Sequence, residues 1–260
     1  MTTAQRALHA EWTKVRTVAG PWWLLATAVL GTIGLGAAAT ASIRCSGTDC
    51  SADVVRTSLS GVWLGQAVVA VFAVLLVGSE YSTNQILPTL AAVPRRHLVL
   101  AAKAVTSALP ALLAGLVAAA GSILVGRLIL GADHDTAVAA AALSPTDPLV
   151  LRAVGGTALY LGLIALIATG VTTALRSSAG GIGAALGILY LFPMLAAVVT
   201  DPDWVLTLRR ISPGNAGLSV QSTTGAAGEV IGPWSGLGVV GLWSAGALLL
   251  GTLVLHYRDA

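Results

Sequence analysis

The stretch LSGVWLGQAVVAVFAVLLV, from Leu59 to Val77, contains no Asp, Glu, Lys, Arg or His. A helix rises ~1.5 Å per residue and the hydrocarbon of a bilayer is ~30 Å thick, so about 20 such residues cross it. A soluble protein could hide this run only beneath a well-charged surface. The chain has no such surface: of its 260 residues 56% are hydrophobic and 10% are charged, against about 25% charged in an ordinary soluble domain. Mean hydropathy is +0.86. The composition therefore reads as a polytopic membrane protein and excludes soluble enzymes, DNA-binding modules and secreted disulfide scaffolds. A net charge of +3 is too small to draw nucleic acid and reads as loop charge that orients the chain.

Five further segments match that length and composition: Trp22–Ala41, Val99–Val125, Ala153–Val171, Gly180–Val199 and Gly236–Leu255. The expected fold class is all-α, with six transmembrane helices in one domain over residues 1–260. Val99–Val125 is the longest, and Pro110 within it predicts a tilt or kink. Six spans put both termini on one side. With the N-terminus inside, eight basic residues lie inside and six outside, a weak positive-inside bias. Three acidic residues lie inside and eight outside, so the sides carry +5 (8 − 3) and −2 (6 − 8), which sum to +3. Ala39-Thr40-Ala41 resembles a signal-peptidase site, but the apolar run before it is too long for a signal peptide, so the first span is expected to be retained.

Two segments on the inner side stand out. Over Thr3–Val18, Ala4, Leu8, Trp12 and Val15 share one helical face, while Arg6, Thr13, Lys14 and Arg16 fall elsewhere. Gly20-Pro21 then breaks the helix before Trp22-Trp23. Residues 1–20 read either as a basic flank that anchors topology or as an interfacial elbow helix packed on the bundle, with Trp12, Lys14 and Arg16 at its surface. Residues 78–97, between the second and third spans, are too apolar for a free loop, with Ile86, Leu87, Leu90 and Val93, and too polar and proline-broken to span. A short helix on the inner face fits, its apolar side turned to a partner and Glu80 capping its start. The plainer reading is an interfacial or re-entrant loop without a partner.

The only cysteines, Cys45 and Cys50, lie in the first outer loop around a turn-forming Ser-Gly-Thr-Asp. A disulfide-closed loop is the favoured reading, ahead of a zinc site, which two thiolates leave half built, and of a redox pair, whose spacing would be two. Glu80, Lys103, Arg127 and Arg152 fall at or near span ends, where long side chains reach the interface, and no carboxylate falls mid-span for ion coupling. The four histidines lie in connectors or at ends, so no buried Ser–His pair is expected, and His134 beside Asp133 and Asp135 reads as a solvated loop. No catalytic residue and no metal ligand is expected. A Walker A loop needs Gly-Lys before Ser or Thr, yet Lys14 follows Thr13 and Lys103 follows Ala102. Gly236-x-Gly238-x-x-Gly241 matches a dinucleotide motif only by letter, since it opens a span; its glycines and Gly183-x-x-x-Gly187 are expected to let helices pack closely.

Glu11-Trp12-Thr13-Lys14-Val15-Arg16-Thr17 followed by Trp22-Trp23 resembles the N-terminus of actinobacterial ABC-2-type transporter permeases. Glu80-Tyr81 through Ala91-Ala92-Val93-Pro94-Arg95-Arg96, then Leu100-Ala101-Ala102-Lys103, is similar to that family's segment after its second span. Ile211-Ser212-Pro213-Gly214-Asn215-Ala216-Gly217 and the terminal Arg258-Asp259-Ala260 are similar as well. The patches are short but occur in order along the whole chain. Asn84-Gln85 stands where the family often has Gly-Thr. The resemblance implies a permease subunit of the bacterial plasma membrane, with cytoplasmic termini, that pairs with a second permease copy or paralogue. Two separate cytoplasmic ATPase subunits would bind the ATP and magnesium; this chain would hold no cofactor and be no enzyme. Residues 78–97 would form the coupling helix, with Glu80, Tyr81, Ile86, Leu87, Leu90, Arg95 and Arg96 at the ATPase contact. Residues 200–235 would fold as re-entrant outer helices, which Trp204, Leu206, Ile211 and Leu218 suit. The expected cargo is a hydrophobic or amphipathic drug, antibiotic or peptide, and the expected surroundings are lipid with no nucleic acid. The competing reading is a membrane sensor or assembly scaffold.

Overall fold

The computed structural model describes residues 3–17, 19–43, 53–82, 96–132, 137–223 and 231–257. Among them the protein is entirely helical. In chain order the helices are α1 (Thr3–Thr17), α2 (Ala19–Ala41), α3 (Val54–Ser58), α4 (Val62–Ser82), α5 (Arg96–Gly131), α6 (Ala137–Ala142), α7 (Pro148–Leu175), α8 (Ser178–Val198), α9 (Pro202–Ile211), α10 (Pro213–Leu218) and α11 (Pro233–Tyr257), with a 3-10 turn at Ser219–Gln221 after α10. Six of these, α2, α4, α5, α7, α8 and α11, are long and apolar enough to cross a membrane. Successive crossings run antiparallel, so α1 and the end of α11 share one end of the bundle, the terminal end. The short helices α3, α6, α9 and α10 lie at the other, the distal end.

The helix starts follow from local chemistry. Asp147, Asp201 and Ser212 each precede a proline at the first helical position, and each side chain accepts a hydrogen bond from a first-turn amide: Leu149, Asp203 and Asn215 in turn. Proline there gives up an amide that would have no partner, and the cap satisfies another. Arg176 ends α7 in the left-handed region (φ 53°), and Ser177 caps α8, which turns the chain back within two residues. Pro110 lies inside an unbroken α5. At ~1.5 Å per residue its 36 residues reach about 54 Å, well beyond the hydrocarbon thickness.

Helix α7 is the hub. It packs against α4, α5, α8 and α11, while α2 packs on α4 and α5. Tyr160, Leu161, Ile164 and Ile167 of α7 meet Val69 and Phe72 of α4, Leu189 of α8 and Val240 of α11 in one continuous core. A second cluster, including Val55, Leu59, Ile123, Leu143 and Val150, closes the distal end beneath the short helices. Lipid is as apolar as these side chains, so contact has to come from close packing. At the α7–α11 crossing a Cβ on Gly170 would sit 2.4 Å from the Ala247 carbonyl carbon, which leaves room for hydrogen alone.

The expected glycine contacts are only partly present. Gly236 is tight, since a Cβ there would fall 1.9 Å from the Ala216 carbonyl oxygen of α10, but Gly238, Gly241, Gly183 and Gly187 have nothing within 4 Å. Spacing alone does not say which face of a helix meets a neighbour. Gly170, at the close crossing of α7 with α11, belongs to no such motif.

Gly170→Ala is expected to lower stability by about 1–3 kcal/mol through overpacking, whereas Gly183→Ala should change it by less than about 0.5 kcal/mol. Thermal unfolding of both variants in the same nanodiscs checks this. Equal midpoints would mean that α7 and α11 do not cross so closely.

Candidate functional site

Four charged side chains meet at the terminal end. Glu11 and Lys14 come from α1, Glu80 from the last turn of α4, and Lys103 from the early part of α5. Lys14 Nζ lies 3.2 Å from Glu11 Oε1 and 2.8 Å from Glu80 Oε1. Lys103 Nζ lies 3.3 Å from both Glu11 oxygens and 2.6 Å from Glu80 Oε2. The last contact is too bent for a hydrogen bond and acts as an ion pair. The charges thus alternate around a closed ring with no net charge. Glu11, Glu80 and Lys103 are buried, while the Lys14 side chain remains 41% exposed.

Each lysine has to serve two carboxylates at once. A compact ammonium with three rotatable donors does this, whereas a planar guanidinium favours one carboxylate in a fork. The chain holds 14 basic residues, and its only two lysines are both in the ring. Burial on its own would push the Lys14 pKa down, but Glu80 and Glu11 outweigh it and hold the pKa above the ordinary lysine value. A raised pKa of this kind gives stability that is full below the unfolded value of 10.5 and is lost as pH climbs through the folded one. At neutral pH Lys14 therefore carries its charge.

The ring ties α1 to the two helices that bracket residues 83–95. A second tie holds the corner between α1 and α2, where Trp22 Nε1 donates to the Val15 carbonyl at 2.9 Å. Beside the ring, Trp23 and Leu24 of α2 and Phe72 and Leu76 of α4 line a cavity of about 590 Å³. Both carboxylates are engaged by lysine, so the arrangement positions three helices against one another. Among the described residues no cluster of His, Cys, Asp or Glu could hold a metal ion.

Several sequence-derived expectations change here. Glu80 does not cap a separate helix, because α4 continues through it to Ser82. It lies one residue from the end of a candidate span, at the span end where it was expected, but it is buried there. Lys103 does not reach to the interface; it is 3% exposed and turned into the ring. The face that α1 packs inward carries Glu11 and Val15, with Leu8 exposed and Trp12 only half-buried, so it is not the predicted apolar stripe. Paired charges leave water only together, whereas an apolar stripe can rest against lipid. Arg16 is exposed and Tyr81 is half-buried. Arg96 opens α5. Ile86, Leu87, Leu90 and Arg95 lie outside the described residues, as do Cys45 and Cys50.

At the distal end, Trp204, Leu206 and Ile211 are exposed on α9 and Leu218 alone among the expected four packs on the core. The buried residues of that connector, among those described, lie in residues 212–217 (Asn215 half-buried) and 220–222, with Trp243 Nε1 donating to the Ile211 carbonyl at 2.9 Å. Trp243 stands 10 residues past Pro233, about 15 Å along α11. The α9–α10 corner therefore lies well below the distal start of α11.

Sequence reasoning placed Glu80 and Lys14 in separate elements and left Glu11 and Lys103 out of the site. The available signal was the lysine scarcity: two lysines and two glutamates in flanks of the same end. Compared with known proteins, the chain matches no family model and no curated relative.

Removing one member of a buried pair leaves a charge without compensation, so Lys103→Met should cost about 3–5 kcal/mol. Lys14→Met should cost clearly less, because Lys14 is half in water. Thermal unfolding of the two variants in nanodiscs reads the difference. Equal small losses would show that the ring is not sequestered from solvent.

Proposed function

We propose that this chain is the transmembrane permease subunit of an ATP-driven exporter of the ABC-2 type, in the bacterial plasma membrane, with both termini in the cytoplasm. The observation that carries the reading is the ring of Glu11, Lys14, Glu80 and Lys103, which ties α1 to both helices flanking residues 83–95. A push on residues 83–95 would reach α4 and α5 together, and α1 through the ring. This is what a coupling element gripped by a cytoplasmic ATPase requires, with α1 as an elbow helix on the membrane surface. The α9–α10 corner, set below the start of α11, supports re-entrant helices that cap the pathway on the outside.

The chain has no Walker A lysine, so the energy source is a separate ATPase that holds ATP and magnesium, and this subunit is no enzyme. It works with a second permease copy or paralogue. The spans, built of Ala, Gly, Leu and Val, suit a hydrophobic or amphipathic cargo such as a drug, antibiotic or peptide.

A charge placed in a desolvated helix-in-groove contact costs a few kcal/mol, enough to lose most of a micromolar complex. Leu87→Asp and Leu90→Asp should therefore abolish co-purification of the ATPase and its stimulation in nanodiscs, while the permease still inserts and dimerises. If both variants bind and stimulate like the parent, residues 83–95 do not couple, and the sensor or scaffold reading gains.

A further inference from the structure

A cavity of about 560 Å³ opens at the distal end, between the end of α8, the start of α4 and the α9–α10 connector. Arg56 of α3 and Arg209 of α9 line it from different elements, with Asn215 and Gln221 as polar groups and Trp63 and Leu218 as apolar wall. No acidic residue lines it among the described residues, and neither arginine forms an ion pair there. Two carboxylates on the flanking elements accept hydrogen bonds of their own. Asp53 accepts from the Arg56 and Thr223 amides and from the Thr223 hydroxyl. Asp201 accepts from the Asp203 amide.

The walls are held before anything binds. Gln221 is 3% exposed and donates to Thr157 Oγ1 at 3.1 Å. Trp63 stands edge-on to Tyr190, with ring centroids 5.5 Å apart, and its carbonyl accepts from the Tyr190 hydroxyl. Trp63 and Trp204 are exposed at this end, the level at which tryptophans mark the boundary of hydrocarbon and headgroups. Two guanidiniums without an ion pair among the described residues, set over an apolar wall at such a boundary, complement one kind of molecule: an oxyanion headgroup on an apolar tail. Each guanidinium can grip a phosphate through two parallel hydrogen bonds, and the tail would run down past Trp63 and Leu218.

We infer that this distal cavity is a binding site for a phosphate-bearing amphiphile, with Arg56 and Arg209 on the headgroup. The inference holds whether or not the chain is a transporter. The test uses the full chain in nanodiscs of a phosphate-free galactolipid, titrated with dodecyl phosphate or inorganic phosphate and read by native mass spectrometry. Dodecyl phosphate should bind saturably at one site per chain and at least tenfold more weakly to Arg56→Gln/Arg209→Gln. Arg210→Gln, a neighbouring arginine outside the lining, should bind like the parent and serves as the folded control. Inorganic phosphate should bind at least a hundredfold more weakly than dodecyl phosphate. Phosphatidylglycerol in the nanodisc should compete if the natural occupant is a bilayer lipid; binding without competition would assign the site to a single-chain amphiphile. The inference is overturned if dodecyl phosphate shows no saturable site, if the double variant binds as tightly as the parent, if Arg210→Gln weakens binding equally, or if inorganic phosphate binds as tightly.

Discussion

Two glutamates and a lysine withdrawn from water must end beside one another and beside a second, half-exposed lysine, and that requirement organises the terminal end of this protein. An isolated charge in a low-dielectric site is costly, and a pair is tolerated only where each oxygen and each ammonium proton finds a partner. Here each Lys contacts both Glu and each Glu both Lys. No single helix supplies the set. The ring closes only when α1 lies across α4 and α5, so the charges, rather than an apolar stripe, fix where α1 sits. Leu8 and part of Trp12 are then left facing outward, as suits a helix lying at a membrane surface.

The rest of the bundle is held by shape. Helix α7 is surrounded on most sides, and its contact with α11 depends on a backbone approach that a single methyl group would obstruct. Buried hydroxyls support this packing without charge: Ser107 and Thr169 meet at 2.8 Å across α5 and α7, and Thr40 donates to Ser58 at 3.0 Å. Such pairs are worth about a kilocalorie in lipid. The two ends thus differ in kind. Charge alternation locks the terminal end, whereas the distal end is closed by capped short helices around a cavity that carries two arginines.

The spans were legible in the sequence because a membrane demands long apolar runs, and all six appear within a few residues of their predicted limits. Their ends were less legible. The polar Gly78-Ser79-Glu80 was expected to open a separate short helix capped by Glu80, yet α4 runs on to Ser82, with Glu80 paired to Lys14 and Lys103. The ring was hidden for a related reason: Glu11 and Lys103 are 92 residues apart, and no local periodicity encodes a contact of that range. Gly183-x-x-x-Gly187 misled in the opposite direction, since a motif of small residues shows capacity for close approach but not the presence of a neighbour. Trp204 and Ile211 were expected to suit re-entrant helices; they are exposed on the outside of α9, and hydrophobicity does not say which side chains turn inward where the outside is lipid or interface.

The central claim is that the ring acts as one unit across three helices. A double-mutant cycle on Glu80→Gln and Lys103→Met, measured by reversible unfolding of the full chain in one lipid composition, tests it most directly. If the ring is one unit, the double variant loses less than the sum of the singles by a coupling energy of about 0.5–3 kcal/mol, since removing both partners leaves Glu11 and Lys14 still paired. Losses that add to within about 0.3–0.5 kcal/mol would show that Glu80 and Lys103 do not act on each other, and the four charges would not form one unit.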